Sequence, residues 1–197
     1  MDVALTTAFF AAAIPAFFTP GPNNLMLMTS SARFGVVRTM PHALGIIFGF
    51  PLMVCLVGLG LGEVFGALPL LRDILRWVAA AYLLWMAWTL LGLKLHEAGA
   101  RERPMRTYEA ALFQWVNPKA WAMAVSLVAL VVGTGPDRFG TILLLTLGCL
   151  LIAPFSSILW MVFGQQLELW LRRTGTERYL GAVLALLMVA AVVLFLL

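Results

Sequence analysis

Thr19-Pro20-Gly21-Pro22-Asn23-Asn24 interrupts a charge-free run that extends from residue 3 to residue 32. In hydrocarbon, every backbone N–H and C=O needs a partner inside the protein. Pro20 and Pro22 lack an N–H and clash with a preceding helical turn. Gly21 admits backbone angles that other residues avoid. A helix entering this stretch is expected to end near Phe18. A new one is expected to start around Pro22 to Asn24, because proline suits the first helical turn and asparagine caps well. A plain lipid-facing helix has no use for such a break. It is tolerable where other helices bury it or where it lines a polar cavity.

A second interruption, Asn117-Pro118-Lys119, lies in the apolar run 110–136. Asn117 is a candidate N-cap and Pro118 a candidate first-turn residue. The two interruptions hold corresponding places in the two halves of the chain. Paired, Gly/Pro-interrupted hydrophobic segments point to a transporter binding site near the membrane midplane.

Composition places the chain in a membrane independently of these motifs. Of its 197 residues, 62% are hydrophobic and 11% charged, with a mean hydropathy of +0.98. Soluble domains carry about a quarter charged residues. Charge-poor runs at 3–32, 39–62, 77–93, 110–136, 139–167 and 179–197 suggest six crossings of roughly 20 residues each. That leaves no room for a soluble catalytic domain. The expected fold is an all-α integral membrane protein of one domain, residues 1–197, with helices 1 and 4 broken. It divides into a first repeat (about 1–93), a cytoplasmic loop (about 94–108) and a second repeat (about 109–197). A three-helix half has an odd number of crossings, so its second copy enters from the opposite face, giving inverted repeats. Arg33-Phe34-Gly35 and Arg138-Phe139-Gly140 follow the two breaks, and Pro51 and Pro154 fall in the next spans.

Basic residues set the orientation. Loops 1–2, 3–4 and 5–6 carry Arg33, Arg38, Lys94, Arg101, Arg103, Arg106, Arg172, Arg173 and Arg178. The opposite loops carry only Arg72, Arg76 and Arg138. Both termini are therefore expected outside, and Met1-Asp2-Val3 lacks the basic segment of a cleavable signal. The net charge of +4 comes from short loops between apolar spans, which excludes a nucleic-acid partner. Cys55 and Cys149 form no redox or metal motif, and no metal or cofactor is expected. The glycines of the second span, Gly45, Gly49, Gly58, Gly60 and Gly62, suit either tight helix packing or a sliding surface. They would also permit a homo-oligomer.

The chemistry follows from the breaks. Free N–H groups at a new helix start carry partial positive charge and make an anion site. Pro20, Gly21, Pro22, Asn23 and Asn24 form one such start, with Asn23 or Asn24 able to hold an amine. Gln114, Asn117, Pro118 and Lys119 form the other. Lys119 is either mid-membrane and functional or snorkelling to the inner interface. Facing starts of this kind suit a small zwitterion such as an amino acid. His42 is either a proton relay or a structural histidine. An intramembrane enzyme needs a nucleophile–base pair or metal ligands, and no such group is present at membrane depth. A channel or a non-transporting scaffold is the remaining alternative.

On these residues the chain resembles the LysE/RhtB superfamily of amino-acid exporters. The resemblance rests on Thr19 to Asn24, Arg33-Phe34-Gly35, Pro41-His42, and Phe113-Gln114-Trp115-Val116-Asn117-Pro118-Lys119. Ala80 to Trp88 and Phe113 to Asn117 are similar to its cysteine/O-acetylserine branch. The resemblance implies efflux of small amino acids or close derivatives through the bacterial inner membrane, driven by the proton gradient.

Overall fold

The computed structural model describes residues 3–61, 103–132 and 137–196, together with scattered positions between 70 and 91. Most of the expected third span at 77–93, the Arg72–Arg76 turn, Gly62, Lys94, His96 and Arg101 lie outside the described residues. Among the described residues the chain is all-helical. Six α-helices are delimited among the described residues, in order: α1 (Val3–Phe18), α2 (Pro22–Leu56), α3 (Thr107–Phe113), α4 (Pro118–Val131), α5 (Arg138–Arg173) and α6 (Leu180–Leu196). A single π turn, Val57–Leu61, continues α2.

Each boundary has a local cause. α1 makes its last helical contact with Thr19 N donating to Pro15 O at 2.9 Å, and Pro20 and Pro22 then supply no further donors. α2 starts at Pro22 with Gly21 as its N-cap. At Gly35 the α2 backbone takes φ 79 and ψ 163, a region open essentially to glycine. The helix is therefore two arms, 22–34 and 36–56, joined by a sharp turn. Gly140 lies in the first turn of α5 without a positive φ, so the two Arg-Phe-Gly tripeptides have unlike backbone geometry. α3 opens with Arg106 N donating to the Glu109 carboxylate at 2.8 Å, and Arg103 pairs with that carboxylate. After Phe113 the chain tightens into i→i−3 bonds, Trp115 N to Leu112 O and Val116 N to Phe113 O, before α4 restarts at Pro118.

The 22–34 arm is the centre of the molecule. Every residue from 24 to 32 is buried. Leu25, Met28 and Ala32 pack on Leu180, Leu184 and Met188 of α6. Met26 and Leu27 face the larger core built by α1, the 36–56 arm, α4 and α5. Within lipid there is no hydrophobic drive holding helices together, so close backbone approach and hydrogen bonds do that work. The glycines serve that purpose. A Cβ on Gly164 of α5 would sit 2.1 Å from Met28 O, and one on Gly45 would sit 2.3 Å from Thr107 O. Gly49 lies against Ala111 in the same way, so Gly45 and Gly49 are a packing face for α3.

Outward faces are apolar. Leu143, Leu147, Leu151, Phe155 and Ile158 form an exposed stripe along α5, the arrangement of a helix facing lipid. By length and composition, the stretches 22–61 and Arg138–Arg173 are long enough to cross among the described residues, but the first is bent at Gly35 into two arms. α1, α4 and the described part of α6 are shorter. α1 ends, and α4 begins, at the proline interruptions. At 1.5 Å per residue the 36 residues of α5 reach about 54 Å, well beyond a hydrocarbon layer of about 30 Å.

Candidate functional site

The two interruptions meet. Stopping α1 at Phe18 strips its last carbonyls of their usual donors. Ala16 O has Pro20 four residues on, so the Thr19 hydroxyl donates to it instead, at 3.1 Å. Phe17 O accepts from Asn24 Nδ2 at 2.8 Å and from Ser156 Oγ of α5 at 2.7 Å. Thr19 O accepts from Asn24 Nδ2 at 2.9 Å and from Lys119 Nζ at 2.8 Å. Lys119 Nζ also donates to Thr19 Oγ1 at 2.9 Å and to Pro20 O at 3.3 Å. The ammonium of one interruption thus lies on the carbonyl end of the other. A cation is favoured there, since a helix C-terminus carries partial negative charge.

Gly21 makes this approach possible. Its backbone is extended, at φ −178 and ψ 176, which any residue can adopt. Its lack of a side chain matters because a Cβ would lie 2.6 Å from Lys119 Cδ.

A second bridge lies beside the first. Asn23 Nδ2 donates to Gln114 Oε1 at 2.7 Å, and Gln114 Nε2 donates back to Asn23 Oδ1 at 3.3 Å. Gln114 Nε2 also reaches Ala110 O at 2.8 Å. Gln114 is fully buried, and its two partners satisfy an amide that water cannot reach. Asn117 caps α4, its Oδ1 accepting from Lys119 N at 3.1 Å.

Between these contacts lies a half-open cleft, about 430 Å³ when the open space at its mouth is counted. Its polar lining comes from Gly21, Asn23, Asn24, Asn117, Ser156 and Ser157. Phe17 and Phe50, edge to face at 5.2 Å, close its apolar side with Ile46 and Met123. Lys119 is the one charged side chain among the described residues that line it, and no carboxylate does.

The placement of the expected site residues is therefore mixed. Gly21, Asn23, Asn24, Asn117 and Lys119 line the cleft. Pro20, Pro22, Gln114 and Pro118 are not among the lining residues, although Gln114 holds Asn23 and Pro20 O accepts from Lys119 Nζ. Asn24 is not the cap of α2, since Gly21 holds that place. Its side-chain amide is engaged on the end of α1, and that of Asn23 is engaged on Gln114. His42 is buried on the 36–56 arm and is not among the lining residues. Sequence reading missed Ser156 and Ser157. Their signal was two adjacent hydroxyls two and three residues after Pro154, in the span matching the one that carries Pro51. Among the described residues no group of His, Cys, Asp and Glu is placed to hold a metal ion.

A sequence profile described as LysE type translocator matches residues 14–197. The cysteine/O-acetylserine efflux protein of Salmonella typhimurium (strain LT2) is 27% identical over 190 residues, 96% of each chain. Those of Escherichia coli (strain K12) and Shigella sonnei (strain Ss046) match at the same identity and coverage. No solved structure gives a significant match.

Proposed function

The chain belongs to the LysE type translocator family, and we propose on that premise that it is a secondary exporter of small amino acids or close derivatives. It works in the bacterial inner membrane, with both termini outside. The single observation that carries this reading is the cleft where two interruptions meet, with Lys119 of one reaching Thr19 of the other. Facing helix starts and an ammonium suit the carboxylate of a zwitterion. The first-turn N–H groups of Asn23 and Asn24 have no in-helix acceptors in a helix that begins at Pro22. The kinship with relatives named cysteine/O-acetylserine efflux proteins supports a small neutral substrate.

In this reading α1 and the 22–34 arm are two parts of one broken span, and α3 and α4 are two parts of another. The spans that follow are the 36–56 arm and α5, which carry Pro51 and Pro154. Phe50 and Ala153, each preceding one of those prolines, both line the cleft. That correspondence supports an inverted pair of repeats, about 1–93 and 109–197, rocking about the cleft to expose it alternately. The proton gradient drives the cycle, with His42 as a relay outside the cleft.

The test is uptake into inverted membrane vesicles from overproducing cells. Labelled L-cysteine, O-acetyl-L-serine, homoserine, threonine and lysine are compared. The expected result is saturable uptake of one or more small amino acids that collapses with the proton gradient. Asn24→Ala and Asn117→Ala are expected to abolish it while the protein still reaches the membrane. Unsaturable, gradient-independent flux would instead identify a channel, and full activity in both variants would refute the site.

A further inference from the structure

A zwitterion presents an ammonium as well as a carboxylate, and among the described residues no carboxylate lines the cleft to receive it. The asparagine amides expected to do so are engaged elsewhere. Asn24 is held by Phe17 O and Thr19 O, and Asn23 by Gln114. One place in the described structure already binds a primary ammonium. It is the end of α1, where Thr19 O, Thr19 Oγ1 and Pro20 O surround Lys119 Nζ at 2.8, 2.9 and 3.3 Å. Three oxygens match the three donors of an ammonium. They lie at a helix C-terminus, whose partial charge is negative, and in a helix that restarts at Pro22 the two carbonyls lack their i+4 donors. Lys119 itself lines the cleft, so its side chain stands between the cleft and this oxygen cradle.

We infer that the oxygen cradle of Thr19 and Pro20 is the ammonium subsite of the cleft, and that Lys119 occupies it in the empty protein as a stand-in for the substrate's own amine. The ligand class is a primary ammonium carried on a short carboxylate-bearing molecule. As the substrate enters, its amine takes the cradle. The released Lys119 ammonium then pairs with the substrate carboxylate, beside the N–H groups of Asn23 and Asn24. One exchange of partners leaves both cations and the anion satisfied, and no charge is left bare at membrane depth. A molecule with only an amine displaces Lys119 without giving it an anion, so it is rejected.

This inference rests on the exporter reading above, and its test separates the two. Binding of L-cysteine, cysteamine (amine only) and 3-mercaptopropionate (carboxylate only) is measured on purified full-length protein by protection against thermal unfolding. Wild type is expected to bind L-cysteine and to bind cysteamine at least tenfold more weakly. Lys119→Met empties the cradle. Cysteamine is then expected to bind at least tenfold better than to wild type, and 3-mercaptopropionate at least tenfold worse. Thr19→Val, which leaves Lys119 in place, is expected to weaken L-cysteine severalfold and to leave 3-mercaptopropionate unchanged. A Lys119→Met protein that gains no cysteamine binding, or a Thr19→Val protein that binds all three compounds as wild type does, overturns the cradle. Loss of 3-mercaptopropionate binding in Lys119→Met would still uphold the carboxylate site. Unchanged L-cysteine and 3-mercaptopropionate binding in Lys119→Met would overturn that reading too.

Discussion

Gly21→Ala isolates the contact between the two interruptions. The extended backbone at position 21 accepts alanine without strain. The three atoms nearest the added Cβ all belong to Lys119, at 2.6 Å for Cδ, 3.0 Å for Nζ and 3.3 Å for Cε. A lysine side chain moves aside easily, so the loss is that of its bonds to Thr19 and Pro20. A hydrogen bond to a charged group contributes about 1.5–3 kcal/mol. Lys119 is half-buried, and water replaces part of what is lost, so the set is taken as about 1–3 kcal/mol in total. Alanine also stiffens the unfolded chain, which returns about 0.4–1 kcal/mol. The substitution is therefore expected to destabilise the wild-type background by up to about 2.5 kcal/mol. In a Lys119→Met background it is expected to stabilise by about 0.4–1 kcal/mol. The coupling between the two positions, about 1–3 kcal/mol, appears as a shift of about 2–12 °C in the midpoint of thermal unfolding. The assay is tryptophan fluorescence of the four detergent-solubilised proteins. Equal destabilisation in both backgrounds would show that Gly21 is needed for some reason other than Lys119, and the interlocking of the two breaks would lose its support.

Two further outcomes follow from the same geometry. Gln114→Ala removes the reciprocal amide pair and leaves Asn23 without that partner at a half-buried place. A loss of about 1–3 kcal/mol is expected in the same unfolding assay, larger than for an exposed glutamine such as one at a lipid-facing end. Gly35→Ala forces a side chain into φ 79 and ψ 163, at a cost of about 1–3 kcal/mol. Reduced membrane yield and a lower unfolding midpoint are expected, whereas an unchanged midpoint would mean that the turn adopts another conformation.

Much of the local structure was legible because proline and glycine act on their immediate neighbours. The end of α1 at Phe18, the start of α2 at Pro22 and the Asn117-capped start of α4 all follow from missing N–H groups and fixed φ angles, which depend on no distant residue. The apolar runs were legible for a similar reason, since a lipid environment selects composition residue by residue. The sharp turn at Gly35 falls between the apolar runs 3–32 and 39–62, where the first loop is expected, but the sequence does not show that a single glycine makes it, with helix continuing on both sides. The full length of α5 was also missed. Charged residues such as Glu168, Arg172 and Arg173 end an apolar run without ending a helix, and Arg172 pairs with Glu168 across one turn.

Composition and local backbone chemistry were enough for the membrane class, the places where helices stop and restart, and the residue types gathered there. Which group satisfies which came from the packing of the helices. Lys119 looked like a charge for its own helix start, yet it lies on the carbonyl end of α1, contributed by the other half of the chain. Asn24 looked like a cap for the helix it begins and instead closes the one before it. Ser156 joins the same carbonyl from a helix more than a hundred residues away. Hydrogen-bond partners are chosen by distance in space, and spatial distance between residues far apart in the chain is set by how the helices pack.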